Sequence, residues 1–117
     1  MARYEHLPVY KSVYDLNLYF FNLSRGFPKD FKYTLAQEIK NQLSELLDHI
    51  IIANNVADKK ENLQKAEIVV ERIKIKNRLL FDVKVIKMSS YKHTAVSLIA
   101  ISKQIEKWLV WAKKGKS

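Results

Sequence analysis

The stretch that decides the fold runs from Asp58 to Met88 and reads DKKENLQKAEIVVERIKIKNRLLFDVKVIKM. It contains no Gly or Pro, and its first four residues, Asp58 to Glu61, have the pattern of a capping box at a helix N-terminus. Its apolar residues recur at helical spacing, which predicts one amphipathic helix over residues 58–88. At 1.5 Å per residue that helix is about 45 Å long, a length that suits a helix bundle.

The side chains of this predicted helix fall on separate faces when they are projected at 100° per residue. The core face consists of Leu63, Ala66, Val69, Val70, Ile73, Leu80 and Met88. A second apolar line consists of Ile68, Ile75, Leu79 and Ile86. Between the two lie the basic residues Lys65, Arg72, Lys76 and Lys87. Because one apolar face is enough to close a bundle, the second line predicts a contact with another subunit.

Three further helices are predicted at about residues 8–26, 31–55 and 90–114. Pro8 suits a first helical turn, and Gly26, before Pro28, is expected to end the first helix in the left-handed conformation. The first helix is rich in aromatic residues, and its apolar residues at helical spacing include Tyr14 and Phe21. Because the connections are short, the sequence predicts an all-α protein in which residues 1–117 form one up-down-up-down four-helix bundle.

The composition favours an anionic partner. Lys and Arg exceed Asp and Glu by 21 to 12, which gives a net charge of +9 and a pI near 9.7. Such an excess indicates nucleic acid ahead of a membrane surface, while a basic protein without an anionic ligand is the alternative. The N-terminus lacks a secretory apolar segment and no apolar run reaches the length of a membrane span, so a cytoplasmic location is expected.

The positive charge is concentrated in the second half of the chain. Residues 57–88 carry nine basic and five acidic side chains, and residues 89–117 carry six and one. These two segments are neighbours joined by a tight turn, so they are expected to pack antiparallel. Their basic strips are then expected to merge into one surface, which resembles a phosphate-contacting face more than a base-reading site.

Residue patterns typical of catalysis and of metal or cofactor binding are absent from the sequence. There is no Cys, the three His residues are scattered, and two glycines cannot form a phosphate-binding loop. Glu67 and Glu71 lie one turn apart and could pair as acid and base, but nearby Lys and Arg residues make a surface ion-pair network the better interpretation. We therefore expect no enzyme activity, no catalytic residues, no metal and no cofactor.

Several segments resemble a known family of small bacterial four-helix bundles. The segments are Leu7-Pro8-Val9-Tyr10-Lys11, residues 27–37 (FPKDFKYTLAQ), Ala53-Asn54-Asn55, Arg78-Leu79, Val83-Lys84-Val85-Ile86, Tyr91 and Trp108. The family includes the accessory variability determinant (Avd) of diversity-generating retroelements, and bundle proteins encoded in intervening sequences of large-subunit ribosomal RNA genes. The sequence departs from the family pattern where leucines are usual, at Lys76 and Asn77, and where a small residue is common, at Lys107.

The resemblance implies a non-enzymatic protein that forms a basic homopentamer. Avd proteins bind nucleic acid and associate with a reverse transcriptase, which copies a template RNA into mutagenised cDNA. On this hypothesis the following side chains contact phosphates without reading sequence: Lys65, Arg72, Lys76, Arg78, Lys87, Lys92, Lys103, Lys107 and Lys114. The expected oligomer interface is Ile68, Ile75, Leu79 and Ile86. The alternative is a protein of the ribosomal intervening-sequence type that acts as a self-assembling protein-interaction module.

Overall fold

The computed structural model describes residues 4–114, and nearly all of them are helical. A 3-10 turn (Tyr4–His6) precedes five α-helices, and the second of these is a single short turn. The helices are α1 (Pro8–Ser24), α2 (Lys29–Lys32), α3 (Leu35–Asn55), α4 (Lys60–Asp82) and α5 (Met88–Lys113). No strand occurs within residues 4–114, and the prediction of an all-α four-helix bundle is confirmed.

The four long helices form a closed ring around the core. Helix α3 packs against α1 and α4, and α5 packs against α4 and α1, so that α1 and α4 occupy opposite corners. The bundle measures 46 × 20 × 20 Å. These neighbour relations place α3 on one side of α4 and α5 on the other, and this arrangement governs which charged side chains can lie together.

The core consists of one buried stripe from each long helix. Each stripe follows helical spacing, because residues three and four positions apart lie on the same face. The largest fully buried side chains are Leu16, Phe20, Ile39, Leu43, Leu46, Ile50, Leu63, Ile73, Leu80, Leu98, Ile101 and Ile105. The stripe of α1 runs through Val9, Val13, Leu16 and Phe20, whereas Tyr14 and Phe21, which also recur at helical spacing in the sequence, are half exposed.

Helix α4 is shorter than the sequence predicted, because it ends at Asp82 in a Schellman motif. The N–H of Val85 donates to the carbonyl of Leu80 (2.9 Å), and the N–H of Lys84 donates to the carbonyl of Phe81 (3.0 Å). Lys84 occupies the position that is usually Gly and has a φ of 65°. The chain therefore turns at Lys84, and Met88 begins α5 as an exposed residue rather than a core residue of α4.

The other helix ends are built differently from the sequence prediction as well. The capping box predicted at Asp58–Glu61 is not formed, because α4 begins at Lys60 with Lys59 as its N-cap residue. Asp58 Oδ1 accepts the N–H of Lys60 (3.2 Å), and Glu61 pairs with Lys65 instead. Pro8 lies in the first turn of α1, as predicted. Gly26 does not adopt the left-handed conformation, and a Cβ added at this residue would meet no atom within 4 Å.

Candidate nucleic-acid interface

The nine predicted phosphate-contacting residues lie on different sides of the bundle. Lys65, Arg72 and Lys76, called the α4 strip below, lie on the edge of α4 that faces α3. Lys92, Lys103, Lys107 and Lys114, called the α5 strip, lie on the outer face of α5. Arg78 is on the other edge of α4, and Lys87 lies just before α5.

Ion pairs hold two of the three residues of the α4 strip. Lys76 Nζ lies 3.4 Å from Glu38 Oε1 of α3, and the Lys76 side chain is only 22% exposed. Lys65 Nζ lies 3.2 Å from Glu61 Oε1, one turn earlier in the same helix. Arg72 is exposed and has no ion pair within residues 4–114. Much of the charge of the α4 strip is therefore balanced by nearby carboxylates.

The opposite edge of α4 faces α5. Asn77 Nδ2 donates to the Tyr91 carbonyl of α5 (3.2 Å), and the rings of Phe81 and Tyr91 stack with centroids 4.9 Å apart. The α4 strip and the α5 strip are consequently separated by the exposed face of α4. The expectation that the two basic strips merge into one surface was wrong, because sequence spacing does not reveal which neighbour lies on which side of a helix.

Arg78 is also held by a carboxylate. Its Nε donates to Asp82 Oδ1 at 2.9 Å. That hydrogen bond, followed by one with Tyr91, raises the pKa of Arg78 above its ordinary value. Arg78 therefore keeps its charge but is engaged with the C-terminal turn of α4.

The α5 strip carries the least compensated charge among the predicted residues. All four of its lysines are exposed, and none forms an ion pair with any residue from 4 to 114. They lie opposite the buried stripe of α5, so they point away from the rest of the bundle. Val96, Ile99 and Val110 are exposed on the same face, so apolar surface lies between the lysines.

The predicted oligomer contact is largely exposed, with one correction. Ile68, Ile75 and Leu79, called the outer line below, lie opposite the core stripe of α4, and Ile75 is 69% exposed. Ile86 is only 6% exposed, because the turn after α4 folds its side chain into the core. Ile86 was therefore wrongly assigned to the exposed line, while the role of the other three in assembly stays a prediction.

Two groups of cations near apolar side chains contain residues that the sequence prediction did not include, namely Lys84, Lys40 and Arg25. Lys84 lies beside Lys87 at the end of the bundle, and both line one cleft with Phe27 and Phe81. The second group surrounds Phe21, whose ring lies 4.7 Å from Lys40 Nζ and 5.3 Å from Arg25 Cζ. The spacing of Lys40 gave no signal, because α3 and α1 meet only in the folded bundle.

The described part of the chain contains no group of three His, Cys, Asp or Glu side chains that could hold a metal. Glu71, considered with Glu67 as an acid–base pair, forms an ion pair with Lys74 at 3.1 Å. No helix within residues 4–114 combines the length and the apolar character required to cross a bilayer.

The comparisons with known proteins agree with this architecture. The model of the family described as bAvd-like matches residues 8–111, from the first turn of α1 almost to the end of α5. No curated protein matches the chain. Because the match covers most of the chain and the structure is a four-helix bundle, this protein belongs to the bAvd-like family.

Proposed function

We propose that this protein is a non-enzymatic nucleic-acid-binding accessory protein, the Avd of a diversity-generating retroelement. Membership of the bAvd-like family supports the retroelement assignment. The observation that carries nucleic-acid binding is the α5 strip, four exposed lysines without an acidic partner among residues 4–114. An unpaired row of cations on one helix face is the electrostatic footprint expected of a phosphate-binding surface.

The α5 strip binds phosphates as point charges and reads no sequence. Lys is a flexible, strongly hydrated cation, and it lacks the bidentate geometry that Arg uses to read guanine. The salt dependence of binding follows from counterion release, so affinity falls steeply as salt is added. Lys87 adds a further exposed cation just before α5, whereas the paired residues Lys65 and Lys76 contribute less.

The outer line provides the contact for assembly. Ile68, Ile75 and Leu79 expose apolar surface on the face of α4 that no other helix of the bundle covers. Burial of such side chains against a neighbouring subunit is favourable by about 25 cal/mol per Å². We propose a homopentamer in which each subunit contributes one α5 strip, and in which the assembly holds template RNA or cDNA beside a reverse transcriptase.

The proposal is tested by two charge-reversal variants that change the net charge equally. Lys103→Glu with Lys107→Glu alters the α5 strip, and Lys65→Glu with Lys76→Glu alters the α4 strip. We expect the α5 double variant to weaken RNA and DNA binding far more, and to make the slope of log affinity against log salt shallower by about two. Filter binding over a salt series measures both quantities. Binding by the α5 variant that equals that of the wild type would refute the assignment.

A second candidate function is favoured by the outer line alone. A self-assembling interaction module of the ribosomal intervening-sequence type would use Ile68, Ile75 and Leu79 in the same way, without any nucleic acid. It predicts that a filter-binding titration of the wild-type protein at low salt shows no binding of RNA or DNA. Its genomic setting would also differ, since a retroelement gene lies beside a reverse-transcriptase gene with template and variable repeats.

A further inference from the structure

An open cleft of about 770 Å³ lies at the end of the bundle where α1 ends and α4 turns into α5. The apolar part of its lining, called the apolar wall below, includes Leu23, Phe27 and Phe81. The cationic part, called the cationic wall, includes Lys84 and Lys87 together with Ser90. This combination of an apolar wall and a cationic wall is suited to a ligand that has a flat apolar part and an anionic part.

The first turn of α5 begins beside this cleft, since Lys87 and Ser90 line it. The N–H groups of Met88, Ser89 and Ser90 donate to no acceptor within residues 4–114. The N-cap residue, Lys87, has extended backbone and provides no side-chain cap. The N-terminus of a long helix carries partial positive charge, so these unpaired donors favour an anion.

Ser90 provides an independent indication of a ligand. Its residue is only 5% exposed, it lines the cleft, and its Oγ forms no hydrogen bond with any residue from 4 to 114. The Oγ opens to the cleft and is free to donate a hydrogen bond to an anionic oxygen there. An anionic oxygen bound in the cleft would supply the acceptor that Ser90 lacks.

Lys84 adds a third feature at the rim. It holds a φ of 65°, a conformation that Gly adopts freely and that costs a side chain free energy. The Schellman motif at the end of α4 accounts for this conformation, and Lys84 thereby lines the rim of the cleft. Lys84 and Lys87 have no ion pair among the described residues, while the carboxylate of Asp82, which also lines the cleft, is occupied by Arg78.

We propose that this cleft binds a nucleotide, with its phosphate at the N-terminus of α5 and its base against the apolar wall. Lys84, Lys87 and Ser90 hold the phosphate, and Leu23 and Phe81 contact the base. The choice of a nucleotide over other phosphate-bearing molecules rests on the proposed nucleic-acid function. The nucleotide is either free or the phosphorylated end of a strand, since both present the same phosphate monoester.

The test uses the full chain and titrates it calorimetrically with uridine monophosphate, inorganic phosphate and uridine. The wild type is expected to bind the monophosphate more tightly than phosphate and to bind uridine least. Lys84→Gly and Ser90→Ala are each expected to lower the affinity for the monophosphate by about five- to tenfold, because each removes one hydrogen bond or charge contact to the phosphate. Neither variant should lower the melting temperature, since Gly relieves the strained φ and Ala removes a hydroxyl that has no partner.

Two matched variants act as controls. Lys113→Ala removes a cation at the far end of α5, and Ser102→Ala removes a hydroxyl of the same helix away from the cleft; both should bind the monophosphate as the wild type does. Unchanged binding in Lys84→Gly and Ser90→Ala, or equal binding of uridine and its monophosphate, would overturn the proposal. A 5′-phosphorylated oligouridylate that displaces the monophosphate, when its 5′-hydroxyl counterpart does not, identifies the strand end as the source. If neither oligonucleotide displaces the monophosphate, the ligand of the cleft is the free nucleotide.

This experiment separates the cleft from the proposed function of the α5 strip. Lys103→Glu with Lys107→Glu should lose affinity for long RNA and keep its affinity for the monophosphate. Ser90→Ala should do the reverse. Wild-type protein that binds long RNA but no monophosphate would refute the cleft alone, whereas binding of the monophosphate without RNA binding would refute the proposed function alone.

Discussion

Lys76 Nζ lies 3.4 Å from Glu38 Oε1, and this ion pair joins α4 to α3 across one edge of the bundle. The Lys76 side chain is only 22% exposed, so most of it is covered at this edge while its ammonium group pairs with the carboxylate. A residue expected to contact phosphate thus serves in part to join two helices. Among the predicted phosphate contacts, the largest group without ion pairs is the α5 strip, on the other side of the outer line.

The Lys76–Glu38 pair is expected to contribute modestly to stability. Lys76→Met and Glu38→Gln, alone and combined, form a double-mutant cycle, and we expect a coupling energy of about 0.5 kcal/mol, because Glu38 remains well exposed to solvent. Urea denaturation of the four proteins measures it. Lys65→Met combined with Glu38→Gln is the control and should be additive. A coupling energy of zero for the first pair would contradict its structural role.

Two substitutions of Asn77 are expected to differ in their effect on the free energy of unfolding. Asn77 is only 3% exposed, and its Nδ2 donates a hydrogen bond to the carbonyl of Tyr91 in α5. Asn77→Leu replaces a buried amide by an apolar side chain of similar size, so the free energy of unfolding should stay the same or rise by about 1 kcal/mol. Asn77→Ala leaves a cavity and should lower it by about 2 kcal/mol. Equal losses in the two variants, measured by urea denaturation, would contradict this account.

Replacing Lys84 or Lys87 by Gly should change the free energy of unfolding in opposite directions. Lys84→Gly removes the strain of a positive φ, and we expect the free energy of unfolding to rise by about 1 kcal/mol. Lys87→Gly changes a residue whose φ is −86°, so it gains nothing and should lose about 0.5 kcal/mol through a more flexible unfolded chain. Thermal unfolding of both variants decides the matter. A destabilised Lys84→Gly would show that the lysine side chain makes a stabilising contact that outweighs the strain.

The outer line predicts association of the free protein. Wild-type protein is expected to sediment as an oligomer at micromolar concentration, and Ile75→Glu is expected to shift it toward monomer, because a carboxylate would be buried at the contact. Val96→Glu is the control, since Val96 is equally apolar and exposed but lies on α5. A monomeric wild type, or an equal shift in both variants, would count against an interface on α4.

The helices that could be predicted best are those whose signals are local. The sequence places Ala36, Ile39, Leu43, Leu46, Leu47, Ile50 and Ala53 at helical spacing on one face of α3, and all of them except Leu47 are buried. Leu47, the seventh, is partly buried at its edge. Helical spacing works here because a single apolar stripe, flanked by polar residues, leaves one way to face the core.

Tertiary context determined the features that could not be predicted. The end of α4 carries Lys84 where Gly would normally mark the stop, so the sequence contained no signal for the turn. Ile86 continues the spacing of the outer line in the sequence, but it lies beyond that turn. Its side chain was therefore predicted to be exposed and is in fact buried. The separation of the α4 strip from the α5 strip depends on the order of helices around the ring, which no single helix encodes.

The left-handed lysine at the end of α4 also has a meaning for the comparison of relatives. Glycine at this position would relieve the left-handed backbone, so this single substitution is expected to make a descendant more stable. A lineage that keeps a cation here is therefore less stable than it would be with Gly, and selection for stability alone would not favour the cation. Across bAvd-like proteins, the residue at this one turn should divide members that use the charged end of the bundle from members that have abandoned it.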